Sequence, residues 1–361
     1  MRFVKHLVAL LFTVALVAVF LLYFRDDLGA AMHEIRGAFL PLMLLSVAMQ
    51  VIHLLVRALR WRLLLAPVKS KVSFYNLFST TAIGYTATIF FPFRIGEVVR
   101  PLLLASRERM SRSAALATVG VERILDFLTV LLFLSTYLLF FVDDLQAGVT
   151  STETWTRMLA GARIAAGASL LALPLLFLFA RFGESWLLRL ERRLAPASDG
   201  KMAYFLEGAR KFAHGMRALT SLSILIRAVG LSLLTWLAIA AATWAGVQSL
   251  GGGFAFPFQA TLLLVPFLAV GVVTPSPGGA GGYHIICSLA LEQLFGASGS
   301  AAAATAIVLW FLAWTPIVML GLFFQWRAGL SLRDIKSMAR SSSRKDPPSE
   351  PSDVLREGDP T

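Results

Sequence analysis

The sequence predicts an all-α polytopic membrane protein: about six full spans plus two broken-helix hairpins, inserted from opposite faces like an inverted repeat. Three observations carry this reading. Apolar runs long enough to cross a bilayer recur along the chain, and basic residues gather in alternate connections between them. Two further apolar stretches are interrupted by proline and glycine, with polar residues around each break. The first reads Phe91-Pro92-Phe93-Arg94-Ile95-Gly96-Glu97-Val98-Val99-Arg100, and the second Thr274-Pro275-Ser276-Pro277-Gly278-Gly279-Ala280-Gly281-Gly282-Tyr283-His284. In lipid, non-helical backbone persists only where it is buried in protein or lines a wet cavity. Paired interruptions in two halves of a membrane protein point to a transport site.

Composition sets the class. Of 361 residues 57% are hydrophobic and only 15% charged, which excludes an ordinary soluble domain. Lys and Arg outnumber Asp and Glu by 33 to 21, and most of this surplus lies between apolar runs, the signature of cytoplasmic loops rather than of nucleic-acid binding. The single cysteine, Cys287, excludes an intramolecular disulfide and a Cys-rich metal site, and reads as a small apolar packing residue.

The spans follow in order. A helix needs about 20 apolar residues to cross, and six segments qualify: about 6–24, 38–56, 119–142, 159–180, 222–247 and 302–325. Arg2 and Lys5 place the N-terminus inside, and the first run is long for a signal peptide, so an uncleaved span is expected. Arg57, Arg60, Arg62, Lys69 and Lys71 follow the second span as a cytoplasmic cluster. The stretch Phe74 to Phe93 has basic residues on both flanks, so a hairpin entering and leaving on the cytoplasmic side is expected, broken at Pro92. Ser111 or Ser113 caps the helix leading into the third span.

Asp143, Asp144 and Glu153 lie outside after the third span. The segment 181–217 returns inside as amphipathic surface helices around Trp186, Leu187, Leu190, Phe205 and Phe212. The stretch Pro257 to Phe295 must then begin and end outside, as a second hairpin. Its Pro277-to-Gly281 break matches Pro92 to Gly96 in layout; full crossing by every arm, giving up to ten spans, is the alternative. The membrane domain thus covers 1–327. A cytoplasmic tail follows over 328–361, with disorder expected from about Ser341. Trp61, Trp155, Trp186 and Trp326 read as interface anchors, and Ala301 to Ala306 as a helix-packing face.

The chemistry concentrates at the breaks. Arg94, Glu97 and Arg100 recur at three-residue spacing, and Glu122, Arg123 and Asp126 open an otherwise apolar span. Ionisable groups at membrane depth are costly, tend to pair and mark pathways. Two readings stand side by side. The residues form a self-neutralising network that pins the hairpin to the third span, or the arginines grip a phosphate while the acids hold them or carry a proton. The Pro-Gly segment permits close backbone approach, and the helix after it aims free N–H groups at the break, which favours an anion. A tight helix crossing is its plainer reading. His284 titrates near neutral pH or is a hydrogen-bonded structural residue. There is no GxxxxGK[ST], HExxH or GxSxG in a suitable setting, so no cofactor, metal or catalytic residue is expected.

At these residues the chain resembles the lysylphosphatidylglycerol synthase transmembrane-region family of flippase-like integral membrane proteins. The likeness rests on Pro92-x-Arg94-x-Gly96-Glu97-x-x-Arg100, on Ala117-x-x-x-x-Glu122-Arg123-x-x-Asp126, and on Pro275-x-Pro277-Gly278-Gly279-x-Gly281. It spans nearly the whole chain to about Arg327. The resemblance implies a membrane protein that moves polar or charged lipids between leaflets. Bifunctional members carry a further cytoplasmic transferase, whose synthetic activity is not expected here. Two positions depart from the family pattern: Thr88, where Asn is common, and His284, where Glu is common.

The leading expectation is an inner-membrane lipid translocase of bacterial type, with both termini cytoplasmic. A phosphate-bearing headgroup is held by Arg94, Arg100 and Arg123 and by the amides near Gly278, Gly279 and Gly281. Glu97, Glu122, Asp126, His284 and Thr88 support the site or couple protons, and Pro92, Gly96, Pro275 and Pro277 break the helices. The rivals are a membrane-embedded enzyme on lipid-linked substrates, using Glu97, Glu122 or His284, and a non-transporting scaffold for envelope assembly. The partners expected are membrane lipids, with no nucleic acid; the oligomeric state stays open.

Overall fold

The computed structural model describes residues 36–91, 94–141, 221–251, 254–273 and 277–330, together with scattered positions between 160 and 189. The described residues form helices and connections, without strands. In chain order these are α1 (Leu40–Leu65), α2 (Phe74–Phe90), α3 (Gly96–Glu108), α4 (Arg112–Phe140), α5 (Leu222–Leu250), α6 (Thr261–Val273), α7 (Ala280–Phe295) and α8 (Gly299–Arg327).

By length and composition α1, α4, α5 and α8 are able to cross a membrane. They match the second, third, fifth and sixth predicted spans. The first predicted span, the acidic connection 143–153, most of segment 181–217, and the tail beyond residue 330 lie outside the described residues. The fourth predicted span is described only at scattered positions, helical where described.

The helices pair antiparallel. The start of α1 meets the end of α5, where the Phe39 amide donates to the Ser249 carbonyl at 2.7 Å. At the other end Leu64 packs with Leu225 and Ala228. Helix α8 runs against α2: Phe324 meets Tyr75 and Phe78 edge-on, and Trp314 lies 6.4 Å from Tyr85. Ala302 and Ala306 pack with Cys287, Ala290 and Leu291 of α7 in one buried apolar cluster, which bears out the packing roles expected of Cys287 and the alanine face. Ser111 is the residue that caps α4, accepting from the Ala114 amide.

The remaining helices form two tight pairs. Helices α2 and α3 hold 17 and 13 residues, and α6 and α7 hold 13 and 16, each shorter than the about 20 a simple crossing needs. Each pair closes on a glycine contact. A Cβ at Gly96 would overlap the Gly84 carbonyl oxygen, and one at Gly271 would lie 2.9 Å from the Gly282 oxygen. Helix α2 ends at Phe91 in extended backbone, Arg94 turns through φ 51, and α3 begins at Gly96. In the second pair a short 3-10 turn, Pro277–Gly279, places Gly278 and Gly279 at φ 61 and 64 before α7 begins. Glycine adopts this left-handed region without penalty. Pro92 and Pro275 lie outside the described residues.

A polar clamp ties the base of the first pair to the α1–α2 connection. Glu108 accepts from Lys69 Nζ at 2.9 Å, from Asn76 Nδ2 at 2.7 Å and from the Ser73 amide at 3.2 Å. Burial pushes the Glu108 carboxyl up, but these three donors prevail and hold it below its ordinary value of 4.5. A depressed carboxylate contributes stability that is present in full above the unfolded pKa and is lost as pH falls through the folded one. Hydrogen exchange at residues 72–77 is therefore expected to accelerate as pH drops below about 4.5, after correction for intrinsic rates. Glu108→Gln is expected to flatten that dependence; an unchanged pH profile in the variant assigns the effect elsewhere.

Two expectations are corrected. Arg57 and Arg60 do not sit in a cytoplasmic loop: α1 runs on to Leu65 and buries both. Hydropathy ends a span at the first charges, whereas these charges are matched by acids on another helix. Trp61 is not an interface anchor but is fully buried, its Nε1 donating to Thr118 Oγ1 at 3.0 Å. Trp326, largely exposed at the end of α8, does fit that role.

Candidate functional site

The polar residues of α1 recur as Ser46, Gln50, His53, Arg57 and Arg60, all buried. Steps of three and four place them on one helix face. That face delivers Arg57 and Arg60 to the acids of α4. Glu122 and Asp126 lie ten to fourteen residues into α4, about 15–21 Å along its axis from Arg112. They therefore lie well inside the helix rather than at either of its ends.

Asp126 accepts from Arg57 Nη1 at 2.9 Å, Arg60 Nη1 at 2.8 Å and Arg123 Nη2 at 3.1 Å. Trp236 Nε1 of α5 adds a fourth donor at 3.1 Å. Glu122 receives Arg60 Nη2 at 3.1 Å on one oxygen and Arg100 on the other. Glu97 Oε1 accepts from Arg94 at 2.6 Å and Arg123 at 3.4 Å. Arg60 also donates to Ser232 Oγ at 2.7 Å, and Arg100 stacks over the Trp61 ring at 4.3 Å. Four helices (α1, α3, α4 and α5) and the link after α2 are thus joined through one network.

The charges do not cancel. Arg57, Arg60, Arg94, Arg100 and Arg123 face Glu97, Glu122 and Asp126, a surplus of two positive charges among the described residues. The Nε of each of these five arginines is buried without a hydrogen-bond partner. A buried, unpaired donor is costly, and a cationic surplus away from water favours an anion.

Beside the network lies a small cleft, open on one side and with enclosed room for about one water molecule, lined by Gly84, Tyr85, Thr88, Gly96, Glu97, Arg100, Val119 and Arg123. The α2–α3 glycine contact forms its floor. Arg123 is partly exposed while Arg100 is buried, so the lining donors run inward from Arg123 to Arg100; Arg94, also partly exposed, does not line the cleft and meets it through Glu97. Thr88 donates to the Gly84 carbonyl at 3.2 Å, which fixes its hydroxyl within α2.

The structure brings most of the sequence-derived residues together. Arg94, Glu97, Arg100, Glu122, Arg123 and Asp126 meet in one network, though Arg94 lies outside the helix and not on a continuous helical ladder. Gly278 lies against Ile89, one turn before the first break, and accepts from Trp310 Nε1 at 3.4 Å. The two breaks are therefore neighbours. Gly278, Gly279 and Gly281 do not line the cleft. His284 sits beyond them on α7, with Nδ1 2.5 Å from the Ala280 carbonyl oxygen and its ring 5.9 Å from Trp310.

Arg57 and Arg60 are the residues that sequence reasoning missed. The signal was present: the polar stripe on α1 continues in phase into both arginines. Among the described residues no group of His, Cys, Asp and Glu is placed to hold a metal ion.

A search of curated proteins found no significant match. The profile of the family described as the lysylphosphatidylglycerol synthase TM region matches residues 7–321. That range takes in every described helix up to α8 as well as both breaks and the whole arginine–carboxylate network, and the chain belongs to this family of integral membrane proteins that handle lipid.

Proposed function

We propose that this protein is a lipid translocase that moves a phosphate-bearing or similarly polar lipid between the leaflets of a bacterial-type inner membrane, both termini being cytoplasmic. The observation that carries the reading is the cationic surplus at membrane depth, with five arginines against three carboxylates beside a half-open cleft. A lipid phosphate enters at Arg94 and Arg123 and reaches inward to Arg100, because guanidinium donors match phosphate oxygens in a fork. Glu122 and Asp126 hold the buried arginines in place. The acyl chains stay in the bilayer.

The short paired helices support the transport step. Arms of 13–17 residues with adjoining breaks suit two re-entrant hairpins that enter from opposite faces and meet. The amides near Gly278 to Gly281 then present a second donor surface close to the first break. The chemistry is binding and movement, without a covalent step: the acids near the cleft are committed to arginines.

The test is flipping of a fluorescent phospholipid in proteoliposomes. Arg94→Gln and Arg123→Gln each remove one charge-assisted contact at the mouth, and the rate is expected to fall about tenfold or more. Both side chains are partly exposed, so the variants are expected to keep the wild-type melting temperature. Undiminished flipping in both variants would remove the phosphate grip.

A further inference from the structure

The three carboxylates of the network are not equivalent. The side chains of Glu122 and Asp126 are 0% and 7% exposed, and each neutralises arginines that are themselves buried. Neither leaves without stranding a charge. Glu97 is 28% exposed and lines the cleft, and its partners Arg94 and Arg123 are 32% and 33% exposed. Arg123 lines the cleft, and Arg94 meets it through Glu97. One oxygen of Glu97 accepts from both, as a phosphate oxygen would.

We infer that Glu97 is a resident competitor for the anion site, occupying Arg94 and Arg123 in the empty cleft and exchanging with the headgroup phosphate when lipid binds. The inference rests on the phosphate-grip reading above and assigns a specificity role to a residue of that site. Three observations support it. Partly exposed ion pairs are weak, so Glu97 yields to a better ligand. A phosphate has acceptor oxygens to spare for Arg100, whose Nε is buried without a partner and which Glu97 does not reach. Arg94, the partner of Glu97, also stands at φ 51, a left-handed conformation that side-chain-bearing residues seldom adopt. The resident carboxylate then excludes weakly held carboxylate-bearing or neutral headgroups, which do not out-compete it.

The experiment titrates the full chain in neutral detergent with short-chain phosphatidylglycerol. Short-chain phosphatidylcholine and inorganic phosphate serve as comparison ligands. Glu97→Gln is expected to bind the anionic lipid about two- to fivefold tighter than wild type, the scale of one partly exposed ion pair. Glu97→Asp keeps the charge and is expected to restore wild-type affinity. Equal or weaker binding by Glu97→Gln, with Arg123→Gln still weakened, overturns the competitor role and leaves the phosphate grip standing. Unchanged binding in Glu97→Gln, Arg94→Gln and Arg123→Gln together overturns both. If inorganic phosphate binds as tightly as the lipid and tightens equally in Glu97→Gln, the exchange holds but the source of the anion is soluble.

Discussion

Replacing Glu122 with Ala is expected to cost about 3–5 kcal/mol, the scale of removing one partner from a buried ion pair. Glu122 is fully buried in the middle of α4 and divides its two oxygens between Arg60 and Arg100. Arg60 retains Asp126 and Ser232 in the variant, but Arg100 loses its carboxylate and keeps only the Trp61 ring. A guanidinium left without a counter-charge inside the protein is what makes the loss large. The measurement is thermal unfolding in detergent, read with the yield of monodisperse protein. Glu122→Gln keeps an acceptor and is expected to lose less. Removing both partners in Glu122→Leu/Arg100→Leu is expected to recover part of the loss, because no uncompensated charge remains. A Glu122→Ala protein that melts with wild type would mean that Arg100 finds water or another anion, and the network would not be a structural unit.

Substituting Gly96 is expected to have the next largest effect, through shape rather than charge. A Cβ there would overlap the Gly84 carbonyl oxygen and the Thr88 hydroxyl, which are backbone and a helix-bonded side chain with little room to give. Overpacking of this kind costs about 1–3 kcal/mol, and Gly96→Leu is expected to exceed Gly96→Ala. The functional loss is expected to outrun the loss in stability. Parting α2 from α3 moves Arg100, whose Cβ also lies against Gly84, and opens the floor of the cleft. Flipping of a fluorescent lipid should fall in a protein that still purifies. Gly230→Ala is the control: that glycine lies within α5 with open space around its Cα, and no loss is expected. Wild-type flipping by Gly96→Leu would show that the close α2–α3 approach is dispensable.

Much of this architecture was legible in one dimension because its causes are local. Apolar runs set the four long helices, and their ends moved by only a few residues, except where α1 continued through its arginines and where α4 began earlier, at its Ser111 cap. The two breaks were legible because proline and glycine change backbone geometry wherever they stand. Ser111 and Ser113 announced a cap, which Ser111 makes, and Cys287 announced its burial. The acidic and basic residues of the breaks were legible as a group, since charge within an apolar run demands a partner.

Two things were misread. Trp61 has the composition context of an interface anchor, yet it stacks under Arg100 in the interior. Arg57 and Arg60 look like loop charges, yet they supply two of the five cations that set the sign of the site.

The residues themselves determined that this chain crosses a membrane, where most of its long helices stop and that its polar residues must be shared, because each of those follows from a neighbour within a turn or two. Only the tertiary structure decided which charge answers which. Arg60 and Asp126 stand 66 positions apart, and their pairing at 2.8 Å depends on α1 and α4 being brought side by side. The excess of positive charge beside the cleft is a property of that assembly and of no single segment, which is why its sign could be counted only once the helices were packed.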